Sequence, residues 1–480
     1  MRGRRHLALL AHLAVCAIVI ACASPPTTEP ATPGTPVASP EPTTPAGVAR
    51  PWTYAAGDIR GVAFGRDAVV YLFSWYSEAP SQLVALDDDG AILTGWPVDL
   101  GRSGIGAGPL ELADGSVAVL TFSYETGVES YALNRIGPDG KPIDGWPYLF
   151  AAGRICSDIQ PLATGDVVVA CGADEGTTLT AIDPNGDVAW EAATDVPTAT
   201  DLALAGDGTI YGTGLGSDGG VAAFDASGAP LAGWPVRIPD LSGATLTPDG
   251  RILAWWRRPV EEICLEAVST TYLVLDASGT PVDGWPQTLE GYASDPVVGL
   301  DGAVHVVTKR NDAFAFDADG TVRAGWPAGV SGRTDRCFGP STPVLGPDGT
   351  LYVASGGPPP GGALSAISPA GRAVDGWPFA PVGELAYPCR MGCTPGPAEP
   401  SGPIVLDDRA WIATYPDGDG GTHVEVMALD GAGRPIADST IQLATQEASL
   451  MVSPDGRLFA ALAGSDSLGE GSFAFLGPAR

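Results

Sequence analysis

The chain is poor in positive charge. Its 480 residues include 56 Asp and Glu but only 25 Lys and Arg, which gives a formal net charge of −31. The lysines are Lys141 and Lys309 alone. An acidic surface repels phosphate backbones and anionic lipid headgroups, so we do not expect nucleic acid as a partner. Solubility is the simplest role of this acidity, and attraction of cations or basic partners is the alternative.

Histidine is also scarce. Two of the four histidines lie in the first twelve residues, which leaves His305 and His423. His305 alternates with valines, as in a strand packing or surface position, and no order of Ser, His and Asp suits a hydrolase. The segment before His423 carries Asp417 and Asp419 and resembles an oxygen-rich calcium loop, but it lacks the later acidic ligand of an EF-hand. We expect no catalytic residues and no metal site, with Asp417 and Asp419 as weak calcium candidates.

Long apolar runs are absent beyond residue 21. Met1–His6 is basic, Leu7–Ala21 is apolar but short for a membrane span, and Cys22 follows. Residues 19–22, Val-Ile-Ala-Cys, resemble a bacterial lipobox, which implies cleavage before Cys22 and lipidation of its sulfur. An ordinary signal peptide with a chance cysteine is the alternative. We expect residues 1–21 to be a signal peptide and the protein to be exported, lipid-anchored at the bacterial cell membrane or outer envelope.

Residues 22–50 are nearly all Pro, Thr, Ala, Ser, Gly and Glu. Such a composition buries no core, and its prolines favour extended conformers. It predicts a disordered, lipid-anchored tether. Residues 51–480 are predicted to form one folded domain.

The tripeptide Gly-Trp-Pro occurs six times, always with its tryptophan six residues after a turn glycine. Recurrence at intervals of about 40–50 residues indicates a repeat architecture. Each repeat has two pairs of short apolar segments separated by tight turns, often Asp-Gly, which is a strong hairpin signal. Four-stranded antiparallel sheets stacked in a closed ring form a β-propeller, so the predicted fold is all-β. The repeated tryptophans are Trp96, Trp146, Trp234, Trp285, Trp326 and Trp377.

A further tryptophan, Trp190, ends the segment Ala181–Trp190, in which an Ala-x-Asp strand end, a turn glycine and a tryptophan follow in order. This segment resembles the repeat of pyrroloquinoline-quinone-type (PQQ-like, quinoprotein alcohol dehydrogenase-like) β-propellers. The Gly-Trp-Pro copies resemble it with two extra residues before the tryptophan. The resemblance implies a propeller from about Trp52 onward, with each tryptophan docking one blade onto the next. It says little about function, because the fold hosts enzymes, sensors and scaffolds.

The resemblance also bears on cofactors. It implies adjacent cysteines and dedicated calcium and base residues in a quinone-dependent dehydrogenase, and this chain has no Cys-Cys pair. We therefore predict no cofactor. The alternative function is an extracytoplasmic oxidoreductase or carbohydrate-active enzyme with a PQQ or calcium site in the central funnel.

The number of blades is open between eight and nine. The chain shows nine first hairpins, eight second hairpins and a last strand near Phe473–Leu476. If Trp52–Ala55 supplies the missing outer strand, both termini meet in one blade and the literal count is nine. The family usually has eight blades, and we prefer eight.

The extra loop length is expected at one face of the ring. Loops between second and third strands and crossings between blades emerge at the same end, whereas the tight turns emerge at the other. Loops on a rigid scaffold often carry binding. The long segments include Arg257–Thr271, Val330–Pro340, Glu384–Pro400 and Gly464–Gly471.

Six cysteines of the predicted propeller lie in or beside these loops, and an even count in an exported protein favours disulfides. Cys156 and Cys171 flank one hairpin almost symmetrically, which predicts a bond between them. The other four cysteines allow three pairings. A zinc site at Cys337, Cys389 and Cys393 is the alternative to disulfides there. The preferred pairs are Cys264 with Cys337 and Cys389 with Cys393.

These features together favour a binding or scaffold module over an enzyme. We expect a monomeric propeller, anchored to the membrane through Cys22, that binds an envelope protein or polysaccharide through its loop-rich, disulfide-braced face.

Overall fold

Within the residues that it describes, the computed structural model shows 36 β-strands and one 3-10 helix, Arg66–Ala68. It describes residues 51–76, 79–123, 129–173, 176–196, 199–259, 267–331, 342–355, 362–381, 384–385, 403–406, 408–416, 423–445, 448–462 and 471–478. Within these ranges the strands form nine antiparallel sheets, which we number as blades 1–9. The first strand, β1 (Trp52–Ala56), belongs to blade 9.

Blades 1–6 each have four strands that follow one another in the chain. Blade 1 contains β2 (Asp58–Phe64), β3 (Val70–Trp75), β4 (Gln82–Leu86) and β5 (Val98–Asp99). Blade 2 contains β6 (Gly104–Glu111), β7 (Val117–Ser123), β8 (Ser130–Ile136) and β9 (Tyr148–Leu149). Blade 3 contains β10 (Ile155–Pro161), β11 (Val167–Ala173), β12 (Gly176–Ile182) and β13 (Val188–Thr194). Blade 4 contains β14 (Ala199–Leu204), β15 (Ile210–Gly214), β16 (Gly220–Phe224) and β17 (Val236–Arg237). Blade 5 contains β18 (Leu241–Leu246), β19 (Ile252–Pro259), β20 (Ala267–Leu275) and β21 (Gln287–Glu290). Blade 6 contains β22 (Val297–Val298), β23 (Val304–Val307), β24 (Asp312–Phe316) and β25 (Ala328–Gly329).

Blades 7–9 depart from this pattern. Blade 7 has three strands and a single bridge in place of the fourth, between Leu364 and Phe379. Its strands are β26 (Val344–Leu345), β27 (Leu351–Ser355) and β28 (Ala363–Ile367). Blade 8 has β29 (Glu384–Leu385), β30 (Ile404–Leu406), β31 (Arg409–Tyr415), β32 (Val424–Leu429) and β33 (Ile441–Leu443). Blade 9 combines β34 (Ala448–Val452), β35 (Arg457–Leu462) and β36 (Gly471–Pro478) with β1.

Both ends of the domain meet in blade 9. Strand β1 pairs antiparallel with β36, and Trp52 lies opposite Phe475. The N-terminal strand is thus the outer strand of the last blade, as the sequence suggested. The preferred number of eight blades is therefore wrong, and the ring has nine, as the count of hairpins in the sequence indicated. The usual blade number of the resembling family does not apply to this chain.

Buried apolar side chains join neighbouring blades around the ring. At the closing seam, Phe459 and Phe473 of blade 9 pack in one cluster with Val70 and Leu72 of blade 1. Comparable clusters join each of the other neighbouring pairs of blades. Each sheet is therefore covered on both faces, and this removal of apolar surface from water is the main stabilising term.

Turn chemistry explains why the second hairpins recur. The Asp183 carboxylate accepts the backbone N–H groups of Asn185 and Asp187 at 2.8 and 3.0 Å. Gly186 then adopts a φ of 89°, which favours glycine. The same aspartate contact closes the turns that begin at Asp87, Asp225, Asp276 and Asp430. None of the described residues forms a helix long and apolar enough to cross a membrane.

Candidate functional site

The two faces of the ring are built differently. Tight turns within the two hairpins of each blade lie at one end, which we call the plain face. The connections between second and third strands and between blades lie at the other end, the elaborated face. Strands that end at the elaborated face flank the longer segments 260–266, 332–341, 356–361, 417–422 and 463–470. The expected loop Arg257–Thr271 is shorter than predicted, because β19 and β20 extend to Pro259 and Ala267.

The innermost strand of blade 8 is interrupted. Both β29 and β30 pair with β31: Leu385 lies opposite Thr414, and Ile404 lies opposite Trp411. Two residues would bridge the gap between them, yet residues 386–403 intervene. The segment Glu384–Pro400, which we expected to cross between blades, therefore departs from within a strand at the centre of the ring.

The six Gly-Trp-Pro tryptophans lie at the seams between blades. Each indole N–H donates to a backbone carbonyl in the second-hairpin turn of the next blade, at 3.0–3.3 Å. Their side chains are nearly buried, and three of them contact a tyrosine of the second strand, as Trp234 does with Tyr211 at 5.4 Å between ring centroids. The glycine before each tryptophan is also required, since a β-carbon on Gly95 would overlap the Asp139 carbonyl oxygen of the next blade.

Two other tryptophans serve seams that lack a Gly-Trp-Pro. Trp190 of blade 3 is partly buried, and its ring lies against Gly228 in the turn of blade 4. Trp52 of β1 lies against Gly90 in the turn of blade 1, and its indole N–H donates to Asp88 O at 2.9 Å. Sequence reasoning had assigned Trp52 only a strand position, although its place in the closing blade was the available signal for a docking role.

The seam between blades 8 and 9 has a serine at the tryptophan position. Ser439 follows the turn glycine Gly433 by six residues, and its hydroxyl donates to Ile436 O at 2.8 Å. The reason lies in blade 9, whose third and fourth strands are β36 and β1 from opposite ends of the domain. No second-hairpin turn joins them, so an indole at position 439 would have no turn to contact.

Of the predicted disulfides, one falls within the described residues. Cys156 and Cys171 are cross-strand partners in blade 3 and are bonded to each other. The remaining predicted cysteines and the lipidation site lie outside the described residues, so their roles stay predictions: Cys22, Cys264, Cys337, Cys389 and Cys393.

Carboxylates recur at one position of the innermost strands, towards the elaborated face. Asp158 lies opposite the fourth residue of β11, and Asp201 opposite the fourth residue of β15. Asp295, two residues before β22, takes the corresponding place in blade 6. This set is not recognisable in the sequence, because these positions become equivalent only once the register of the blades is known.

Asp158 connects blades 3 and 4. Its carboxylate accepts the backbone N–H groups of Ile159 and of Leu202, each at 2.7 Å. Burial, opposed by these hydrogen bonds and reinforced by the nearby Asp201, raises the pKa of Asp158 to about 7. A carboxyl group at the centre of the ring thus changes charge near neutral pH.

Asp295 is held differently, by blade 5. Arg257 Nη2 and Trp255 Nε1 both donate to Asp295 Oδ1, at 2.5 and 2.9 Å. The Arg257 guanidinium also lies 4.6 Å from the ring centroid of Tyr292. Arg257 is therefore a strand residue held in a fixed network. This network presents a partly exposed carboxylate beside aromatic rings at the elaborated face.

His305 packs at a seam. Its ring contacts Trp326 at 5.5 Å between centroids, where other blades place a tyrosine. Burial, with a smaller contribution from Arg323, lowers the pKa of His305 to about 4. Groups of three metal-ligating side chains are absent from the part of the chain that the structure describes, which does not include Asp417 and Asp419.

Comparison with known proteins shows the fold and no more. No family model matches the chain, and no curated protein matches it. Among solved structures, a eukaryotic initiation factor is 11% identical, covers 89% of this chain and 97% of its own, and has a TM-score of 0.51. BamB from Moraxella catarrhalis is 16% identical over 88% of this chain and 100% of its own, with a TM-score of 0.41. The quinohemoprotein alcohol dehydrogenase from Comamonas testosteroni is 13% identical over 90% and 77%, with a TM-score of 0.46.

The sequence predicted a β-propeller through its resemblance to PQQ-like propellers, and the antiparallel sheets of the structure confirm that fold. At such low identities the solved structures carry no activity, cofactor or partner over to this chain.

Proposed function

We propose that this chain is an exported, lipid-anchored binding module of the cell envelope, whose elaborated face engages a protein or polysaccharide partner. The observation that carries the proposal is the one-sided distribution of chain length. Tight turns close the plain face, whereas the longer segments connect strands that end at the elaborated face. Loops on a rigid ring are the usual carriers of recognition.

The partner's chemistry is suggested by charge. The chain as a whole carries a net charge of −31. A field of this sign favours encounter with basic groups and weakens as salt rises. Basic loops of an envelope protein therefore fit this face better than an anionic polysaccharide does.

Blade 8 offers a sharp test of the face. Replacing residues 386–403 with two residues, Ser-Thr, joins β29 to β30 in the register that both already have on β31. We expect the full-length variant to fold and to capture less partner from envelope extracts by quantitative pull-down. The control changes the plain face at an exposed ion pair, Asp139→Asn with Lys141→Gln. Equal capture by the loop variant and the parent protein counts against the proposal.

The anchor has its own test. Cys22→Ser is expected to move the protein from the membrane fraction to the soluble fraction and to abolish the lipid-modified N-terminal peptide in mass spectrometry. Cys16→Ser, a change within the predicted signal peptide, is the matched control and should leave both unchanged. An unmodified N-terminal peptide in the parent protein, together with equal fractionation of the parent and Cys22→Ser, would show an ordinary signal peptide with a chance cysteine instead.

Titration calorimetry addresses the alternative enzyme. Calcium and PQQ are expected to give no saturable heat with the full-length protein. Saturable heat together with dye-linked alcohol oxidation would replace the binding module by an oxidoreductase.

A further inference from the structure

Blade 3 has the longest outer strand that the described residues form. β13 spans seven residues, Val188–Thr194. The outer strands of blades 1, 2, 4 and 6 span two residues each and begin directly after the proline of a Gly-Trp-Pro. Those of blades 5, 8 and 9 span four, three and five residues. A short strand or a proline protects the edge of a sheet from pairing with another chain, and β13 has neither protection.

The outer edge of β13 carries backbone groups that no described strand uses. Among the described strands, only β12 pairs with β13. Blade 2 shows which groups point inward, because Phe150 N donates to Tyr131 O at 3.0 Å. Thr177 occupies the place of Tyr131, nine residues before its turn glycine, and it lies opposite Thr194. In an antiparallel pair these bonds alternate, so Thr194 bonds inward to β12 and Ala193 directs its N–H and C=O outward.

Side chains also alternate along this edge. Trp190 and Ala192 pack in the apolar cluster between blades 3 and 4. Glu191 and Ala193 are exposed on the opposite side, and Val188 at the start of the strand is 43% exposed. The backbone groups of Glu191, two residues before Ala193, point outward as well. The edge therefore offers unpaired backbone groups beside a carboxylate and small or apolar side chains.

We propose that β13 accepts an extended segment of a partner protein as a fifth strand of blade 3, and that this segment carries basic side chains. Main-chain hydrogen bonds to Glu191 and Ala193 supply affinity, as in other cases of strand addition to a sheet edge. The Glu191 carboxylate, which accepts from Thr180 Oγ1 at 3.5 Å, and the net charge of −31 favour basic side chains. The added strand ends near Asp195, whose carbonyl oxygen already accepts from Arg237 Nη2 at 2.7 Å. The site lies on the rim of the ring and does not depend on the binding function proposed above for the elaborated face.

Charge and composition disfavour the two occupants that the protein itself could supply. A second copy would bring Glu191 and a net charge of −31 against an equally acidic edge. Residues 23–49 of the same chain contain Glu29 and Glu41 but no basic residue, and their many prolines cannot donate to a ladder. A basic segment of a different protein meets neither obstacle.

Fluorescence anisotropy of a labelled peptide tests the proposal with the full-length protein in detergent. The probe is a capped Thr-Lys-Val-Lys-Val-Lys-Thr, and Thr-Glu-Val-Glu-Val-Glu-Thr is its acidic counterpart. A third peptide has the basic sequence with its interior amide nitrogens methylated, which keeps every charge but removes the donors of the ladder. We expect saturable binding of the first peptide only. Equal binding of the first and third peptides would show charge attraction alone and would overturn the proposal, as would the absence of saturable binding of the first.

Two variants locate the bound strand. Ala193→Pro removes an outward N–H and is compatible with an edge strand, so binding should weaken at least about tenfold. Glu191→Lys leaves the backbone intact and should weaken binding of the basic peptide while improving that of the acidic one, which keeps the test valid if the proline variant fails to fold. Glu290→Lys makes the same change of charge on the four-residue outer strand of blade 5 and should bind as the parent protein does.

Sedimentation velocity and a tether deletion identify the other occupants. A dimer of the parent protein that Ala193→Pro dissociates would assign the edge to a second copy. Peptide binding that appears only after deletion of residues 24–49 would assign it to the tether. Either result overturns the proposal, as does equal affinity of the parent protein and the Glu191→Lys variant for the basic peptide.

Discussion

A reciprocal exchange at two seams tests whether an indole stabilises the ring only where it has a turn to contact. Trp377 and Ser439 occupy the same position in consecutive blades, six residues after Gly371 and Gly433. Trp377 Nε1 donates to Gly431 O at 3.1 Å, in the second-hairpin turn of blade 8. Blade 9 has no such turn. The two changes are Trp377→Ser and Ser439→Trp.

The two substitutions are not expected to change the free energy of unfolding by equal and opposite amounts. Trp377 is 8% exposed, and an indole that buries about 200 Å² contributes about 5 kcal/mol at about 25 cal/mol per Å². The serine offsets part of this loss by bonding to the backbone of its own hairpin, as Ser439 does. We expect Trp377→Ser to lower the free energy of unfolding by about 3–5 kcal/mol. Ser439→Trp should gain nothing and should cost up to about 2 kcal/mol where the ring crowds its neighbours.

Urea unfolding followed by circular dichroism provides the comparison, with both variants measured beside the parent protein. The midpoint should fall clearly for Trp377→Ser and should stay equal or fall slightly for Ser439→Trp. A rise of the Ser439→Trp midpoint that matches the fall for Trp377→Ser would refute the reasoning, because the indole would then stabilise a seam without a turn.

Three further predictions concern single residues. The pKa of His305 in the folded protein, about 4, lies below the value of about 6.5 for an unfolded chain. The folded protein therefore loses up to about 3 kcal/mol of stability as the pH falls from about 6.5 to about 4. The variant His305→Tyr should abolish this loss when urea unfolding is compared at pH 4 and pH 7. The pKa of Asp158, about 7, lies above its unfolded value of about 4, so stability is lost as pH rises from about 4 to 7; Asp158→Asn should flatten this slope, and an unchanged slope would contradict the assignment. Trp52→Ala removes contacts with Phe459 and Phe475 and the hydrogen bond to Asp88. It should lower the free energy of unfolding by about 2–4 kcal/mol and expose β1 to limited proteolysis. An unchanged urea midpoint would show that the closing strand does not need its indole.

Local chemistry made much of the fold predictable. The aspartate and glycine of each turn act within a few residues, so Asp183 and Gly186 specify a hairpin wherever the chain places it. The regular spacing of Trp96 and the later tryptophans indicated a repeat. The last predicted strand lacked a partner later in the chain, which indicated pairing with the first strand, as β1 pairs with β36.

The candidate sites were less accessible to such reasoning. Blades 1, 4 and 7 place a tyrosine of the second strand opposite an alanine of the third, as Tyr71 with Ala85, whereas blade 2 places Ala118 opposite Arg135. This difference is visible only once the register of the strands is known. Likewise, Asp158 and Asp201 belong to different blades, and burial between those blades is what raises the pKa of Asp158.

The sequence by itself determined the repeating hairpins and the docking tryptophans, because turns and strand periodicity depend on neighbours in the chain. Only the tertiary structure decided that the ring closes with nine blades, that Ser439 stands at a seam without a turn, and that Arg135 is buried beside Trp146. Each of these depends on which distant surfaces pack against one another. Packing between blades sums many weak contacts that no short stretch of sequence contains.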